Sequence, residues 1–199
     1  MLTSGTTGAP KRIRLGYAAF ERTIAAAGQH YRKKPVGAPN DAPRLSSGVA
    51  IVNAPFVHMS GLFRTLQNVC EGRRIALLER FRVDAWLDLV KRHHPRTVAL
   101  VPAALQMVLE ANVERAALES IQAVTSGSAK LDPEIQLATL EQMNAPSLVA
   151  LDTMNYWIEH SRDALLRVIG KVGLVSINEG EVRQLVGTLN VARAAREII

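Results

Sequence analysis

The 199 residues suit one domain or one and a half, and a hydrophobic share of 48% permits a core of useful size. No run of eighteen apolar residues occurs and the N-terminus lacks an apolar signal core, so neither a membrane span nor a secretory signal is expected. A single cysteine, Cys70, excludes an internal disulfide framework and points to a reducing cytoplasm.

The net charge of +6 is uneven. Lys11, Arg12, Arg14, Arg22, Arg32, Lys33, Lys34 and Arg44 face only Glu21 and Asp41 in the first fifty residues, and the remainder is balanced. Such an excess favours anionic ligands. Nucleic acid is not the expected anion, because aromatic residues make up 5% of the chain and no recognition module is present. The sequence carries no signal for oligomeric state.

In chain order, Thr3-Ser4-Gly5-Thr6-Thr7-Gly8-Ala9-Pro10-Lys11 comes first. Glycines allow a tight turn whose N–H groups form an anion-binding concavity, the hydroxyls add donors, and lysine adds a compact charge suited to phosphate. The string is not a P-loop, since Pro10 stands where the second glycine belongs and Arg12 follows the lysine. Next, Tyr17 to His30 reads as a helix, residues 35–47 as a proline-rich surface loop, and Ser47–Ala54 as a buried strand. A helix over Ser60–Glu71 and a strand over Arg74–Leu78 follow. Val83–His93 is amphipathic and ends before Pro95, with His93-His94 as its C-terminal cap region. Thr97–Val101 reads as a strand, Pro102–Glu110 as a helix and Ile121–Val124 as a strand. Asp132 should cap a helix that starts at Pro133 and runs to Met143. Beyond it come a strand over Ser147–Thr153, a helix over Ser161–Ile169, a strand over Val172–Ile177, and helices over Val182–Val186 and Val191–Ile199. This alternation predicts an α/β fold, a mostly parallel sheet with covering helices.

Residues 3–11 resemble the signature loop of the adenylate-forming superfamily, which includes acyl- and aryl-CoA synthetases and luciferases. The resemblance implies that Thr3, Ser4, Gly5, Thr6, Thr7, Gly8 and Lys11 hold the phosphates of ATP, with Mg²⁺ as companion ion. Pro55-Phe56-Val57-His58-Met59-Ser60-Gly61-Leu62 is similar to the family's substrate-side motif, which implies that His58 and Gly61 border the pocket for a carboxylic acid. Val124-Thr125-Ser126-Gly127-Ser128-Ala129 resembles the glycine-rich loop beside adenine and acyl group, which brings in Ser126 and Gly127. No Tyr-Gly-x-Thr-Glu string follows, and the family's ribose-binding Asp and catalytic Lys have no counterpart either. An ATP- or AMP-binding fragment of a carboxylate–CoA ligase, without full activity, is therefore the leading expectation.

From about residue 147 a second resemblance begins. Leu151-Asp152-Thr153-Met154-Asn155-Tyr156-Trp157-Ile158 and Asn178-Glu179-Gly180-Glu181-Val182 are similar to the ribokinase/PfkB carbohydrate kinases. That implies Asn178 and Glu181 as metal-arranging residues. The same pair has the spacing of a helix capping box, and both readings stand at this point. The expected organisation is two incomplete α/β segments, residues 1–146 and 147–199. The alternatives to the ligase fragment are a kinase fragment and a non-catalytic α/β fusion. Segments cut before their neighbouring strands arrive should leave unpaired strand edges.

Overall fold

The structure is a computed structural model that describes residues 14–32, 46–143, 146–187 and 193, with only the backbone of 27–32 and 46–47. The loop of residues 3–11 and the helix expected over Val191–Ile199 lie outside the described residues, apart from Arg193 in the latter. The fold is α/β with parallel strands, and two compact units divide the chain, Met1–Ser128 and Ala129–Ile199. This is a packing boundary; the change expected at 146/147 is one of family resemblance.

In the first unit the described elements are α1 (Tyr17–Arg32), β1 (Ser46–Val52), α2 (Met59–Cys70), β2 (Arg73–Leu77), α3 (Val83–His93), β3 (Thr97–Leu100), α4 (Pro102–Glu110), a 3₁₀ turn (Arg115–Leu118) and β4 (Ala123–Ser126). β1 pairs with β2 in parallel, Val49 opposite Arg74 through Val52 opposite Leu77, with an irregularity before Val49. β3 pairs with β4 in parallel, Thr97 opposite Ala123 through Leu100 opposite Ser126. A helix stands between the strands of each pair, as a parallel connection requires. β1 also packs beside β3.

The core of this unit gathers Val52, Trp86, Val90, Val98, Leu100, Leu105 and Val108, all buried. α3 shows how the sequence dictates an element. Its apolar stripe turns Trp86 and Val90 inward, Asp84 sits in the positive first turn, and Lys91, Arg92 and His93 sit in the negative last turn. His94 ends the helix in the left-handed region (φ 45°, ψ 55°), and its N–H donates to the carbonyl of Val90 at 2.9 Å.

One strand begins later than its hydrophobicity suggests. Ile121 N–H donates to Leu118 O and closes the 3₁₀ turn, while the N–H groups of Gln122 and Ala123 both donate to Arg96 O. Regular pairing therefore starts at Ala123 and reaches Ser126, two residues beyond the expected end.

The second unit contains α5 (Pro133–Gln142), β5 (Ala150–Asp152), α6 (Asn155–His160), α7 (Arg162–Ile169), β6 (Leu174–Ser176) and α8 (Glu179–Val186). Asp132 caps α5 as its sequence position requires, with Glu134 N–H donating to Oδ1 at 2.8 Å. β5 and β6 pair in parallel over three residues. Ile158, Leu165, Ile169 and Leu185 form the core, and Leu151, Trp157, Val175 and Ile177 pack against it. α6 is an element the sequence reading did not separate; Ser161 (φ −145°, ψ 40°) breaks it from α7.

The cap at His94 makes a testable point. A side chain with a Cβ in the left-handed region costs roughly 1–2 kcal/mol that glycine avoids, part of which returns as glycine's greater freedom when unfolded. His94→Gly should therefore raise the stability of the first unit by about 0.5–1 kcal/mol, seen as a rise of a few degrees in its thermal midpoint. A lower midpoint would mean that the exposed imidazole makes a contribution that outweighs the backbone.

Candidate functional site

In a parallel sheet the strands all end at one edge, and in open α/β folds ligands bind outside those carboxyl ends. In the first unit β1 ends in Val52 and runs into Asn53–His58, β3 ends in Leu100 before Val101, and β4 ends in Ser126 before Gly127 and Ser128. The expected residues described in this unit, His58, Gly61, Ser126 and Gly127, thus lie at or after the carboxyl end of β1 or β4.

His58 holds its place through its backbone. Its N–H donates to Pro55 O at 3.0 Å, its carbonyl accepts from Leu62 N–H at 3.1 Å, and its extended φ/ψ (−98°, 148°) makes it the N-cap of α2. The imidazole is exposed and takes no part in the cap. Around it Phe56, Val57 and Met59 are exposed as well, with Val57 at 73%, so the lip of the site is apolar.

Gly61 is buried on the face of α2 that meets this loop. A Cβ there would stand 2.3 Å from Pro55 O and 2.5 Å from Ala54 O. Only a residue without a side chain lets the helix lie so close to the loop that presents His58.

Ser126, Gly127 and Ser128 are exposed. A Cβ at Gly127 would meet nothing within 4 Å, so no side chain bars a ligand from its backbone. Ser128 has φ 71°, a conformation rare for residues with a Cβ.

A contact the sequence did not reveal joins the two halves of this edge. Arg64 of α2 donates from Nη2 to Thr125 Oγ1 of β4 at 3.0 Å, and Thr125 Oγ1 donates in turn to Val98 O at 3.5 Å. Spacing could not show it, because the two residues are 61 positions apart.

A shallow groove elsewhere in the unit, between α3 and the 3₁₀ turn, is lined by Val83, Asp84, Leu87, Lys91, Val113 and Ala117. Its Asp84 is held below the usual carboxylate range, first by the hydrogen bond from Arg82 and then by the N–H of Ala85.

In the second unit, Asn178 and Glu181 stand together as a capping box. Asn178 Oδ1 accepts from Glu181 N–H at 3.0 Å, and Glu181 Oε2 accepts from Asn178 N–H at 3.2 Å. The carboxylate is buried, and the same Oε2 accepts from Thr153 Oγ1 at 2.8 Å. Among the described residues no three His, Cys, Asp or Glu side chains are grouped so that they could hold an ion. Nor is any described helix long and apolar enough to cross a membrane.

The AMP-binding enzyme family matches residues 1–151. This chain belongs to that family. Curated relatives include 4-coumarate–CoA ligase 3 of Arabidopsis thaliana, 30% identical over 139 residues that make up 67% of this chain and 23% of the relative. Luciferin 4-monooxygenase of Photinus pyralis is 26% identical over 150 residues, 74% of this chain and 26% of its own. The chain thus spans about a quarter of the length of these relatives. Among solved structures, O-succinylbenzoate coenzyme A synthetase of Bacillus subtilis in complex with AMP has a TM-score of 0.55 at 24% identity, over 71% of this chain and 33% of that one. The same enzyme in complex with ATP and magnesium ion gives 0.56 at 23% identity, over 71% and 27%. Amide bond synthetase McbA of Marinactinospora thermotolerans gives 0.53 at 26% identity, over 72% and 27%. The family match ends at residue 151, and the kinase resemblance of residues 147–199 gains no support from these comparisons.

Replacing Gly61 tests how far the site depends on close approach. Gly61→Ala must push α2 away from backbone carbonyls that cannot rotate aside, and overpacking of this kind costs about 1–3 kcal/mol. The first unit should lose several degrees of thermal stability, and the resonances of His58 should shift. An unchanged midpoint would show that the 54–55 loop yields freely.

Proposed function

We propose that this chain carries the nucleotide- and carboxylate-binding part of an adenylate-forming carboxylate–CoA ligase. The observation that supports the reading is the placement of His58 and Ser126-Gly127 at or beyond the ends of β1 and β4, with Arg64 bonded to Thr125 beside them. On this reading Thr3, Ser4, Gly5, Thr6, Thr7, Gly8 and Lys11, which lie outside the described residues, hold the β- and γ-phosphates of ATP. Ser126 and Gly127 lie beside adenine and the acyl group. His58 borders the acid, and Gly61 acts through the loop that presents it. Mg²⁺ arrives with the phosphates. A cytoplasmic setting goes with the lone cysteine.

The chemistry so supported is attack of a carboxylate oxygen on the α-phosphorus. A phosphorus–oxygen bond forms to the acid, the bond to the oxygen bridging toward the β-phosphorus breaks, and pyrophosphate leaves with its electron pair. Stabilising that transition state needs preorganised charge, and the family's Glu, Asp and Lys for this work have no counterpart in the sequence. The proposal is therefore one of binding with little turnover. It assigns no kinase chemistry to residues 147–199, because the Glu181 carboxylate is taken up by the cap and by Thr153.

ATP titrated into wild type and Lys11→Ala should bind the variant more weakly, and the wild-type affinity should fall as salt rises. Equal affinities would overturn the assignment of the loop. Carboxylate-dependent ATP–pyrophosphate exchange should run at least about a hundredfold below the rate of an intact relative, since loss of one such stabilising group alone costs about that much. Exchange at a full rate would show that the catalytic set is complete after all.

A further inference from the structure

Among the described residues, arginines that pair with carboxylates include Arg73 with Glu71, Arg82 with Asp84, Arg167 with Glu134 and Arg183 with Glu179. Arg64 is different. It is exposed, and among the described residues its side chain meets no carboxylate and makes one hydrogen bond, to the neutral hydroxyl of Thr125. A guanidinium has five N–H donors in a planar fork. Four of them are unused among the described residues, on a side chain that the Thr125 bond holds in one direction, at the end of β4 beside Ser126 and Gly127. Such a held fork suits bidentate recognition of a carboxylate better than a freely rotating ammonium would.

The surroundings say what the rest of the ligand is like. The segment that leads into α2 exposes Phe56, Val57 and Met59, and Val101 is exposed at the end of β3. These side chains favour an apolar body between polar ends.

We propose that Arg64 is a specificity residue that binds a second carboxylate of the acid, so that the site selects dicarboxylic acids with an apolar body over plain monoacids. The inference rests on the reading of this edge as the acid-binding site. On that reading the ATP phosphates are held by the 3–11 loop, and His58 borders the acid. Arg64 is then free to read the far end of the substrate.

The test compares terephthalate with benzoate, which differ by one carboxylate, in calorimetric titrations of the full chain. Wild type should bind terephthalate about fivefold more tightly, the scale of one exposed charge-assisted pair. Arg64→Gln should lose that preference, and Arg64→Lys, which keeps the charge without the fork, should retain part of it. Arg92→Gln removes the same charge from the last turn of α3 and should keep the full preference. An equal affinity of wild type for the two acids overturns the proposal, as does a preference that survives Arg64→Gln or that Arg92→Gln abolishes equally. A parallel ATP titration separates the two levels. A diacid preference that depends on Arg64 in a chain without ATP affinity would sink the nucleotide reading alone. ATP affinity that falls in Arg64→Gln with no diacid preference would assign the fork to phosphate instead.

Discussion

Gly61 lies against the carbonyl oxygens of Ala54 and Pro55 at a distance no other residue type allows, and the candidate site follows from that approach. With the helix pressed onto the loop, His58 becomes both the last residue of the loop and the N-cap of α2, its backbone bonded at each end. The ring then needs no structural partner and is left to solvent. The same docking sets where Arg64 emerges one turn later, within reach of Thr125. A packing constraint on one backbone atom thereby decides the placement of two side chains with chemistry to offer.

The strand edges carry a second constraint. Among the described residues each sheet has two strands, so one side of every strand has no neighbour there in the ladder. Leu77 on β2, Leu148 just before β5 and Leu174 on β6 are each more than half exposed. Parallel strands are ordinarily covered on both faces and flanked on both sides. The relatives are about three times as long as this chain. What holds each unit together meanwhile is helix-to-strand packing, with Trp86 and Val90 in one and Leu165 and Leu185 in the other.

Much of this was legible in the sequence, for physical reasons that differ by element. α3 and α4 could be bounded to the residue because their ends carry punctuation: Asp84 and His93-His94-Pro95 for the one, Pro102 for the other. β4 was misplaced by two residues because hydrophobicity marks Ile121, whereas the 3₁₀ turn uses its N–H. α6 was merged into its surroundings because six residues give too short a period to read. At the candidate site, local strings point to His58, Gly61, Ser126 and Gly127, and the fold sets them at or after the ends of β1 and β4. Arg64 and Thr125 were out of reach, since nothing in either neighbourhood records a partner across two crossovers.

Glu181 shows why a motif and a fold must be read together. By spacing alone, Asn178 and Glu181 fit a helix cap and an ion-binding pair equally well. Burial separates the two demands. A buried carboxylate needs donors, and here Oε2 accepts both the Asn178 N–H and the Thr153 hydroxyl, which also ties α8 to the end of β5. An ion at that oxygen would have to displace one of these donors, and no group of three His, Cys, Asp or Glu side chains among the described residues could hold it. Such a buried, hydrogen-bonded group is costly to disturb, because its loss removes an acceptor from both the Thr153 hydroxyl and the Asn178 N–H. The capping role therefore accounts for both residue identities through bonds already present, and the second unit owes the join of α8 to β5 to it.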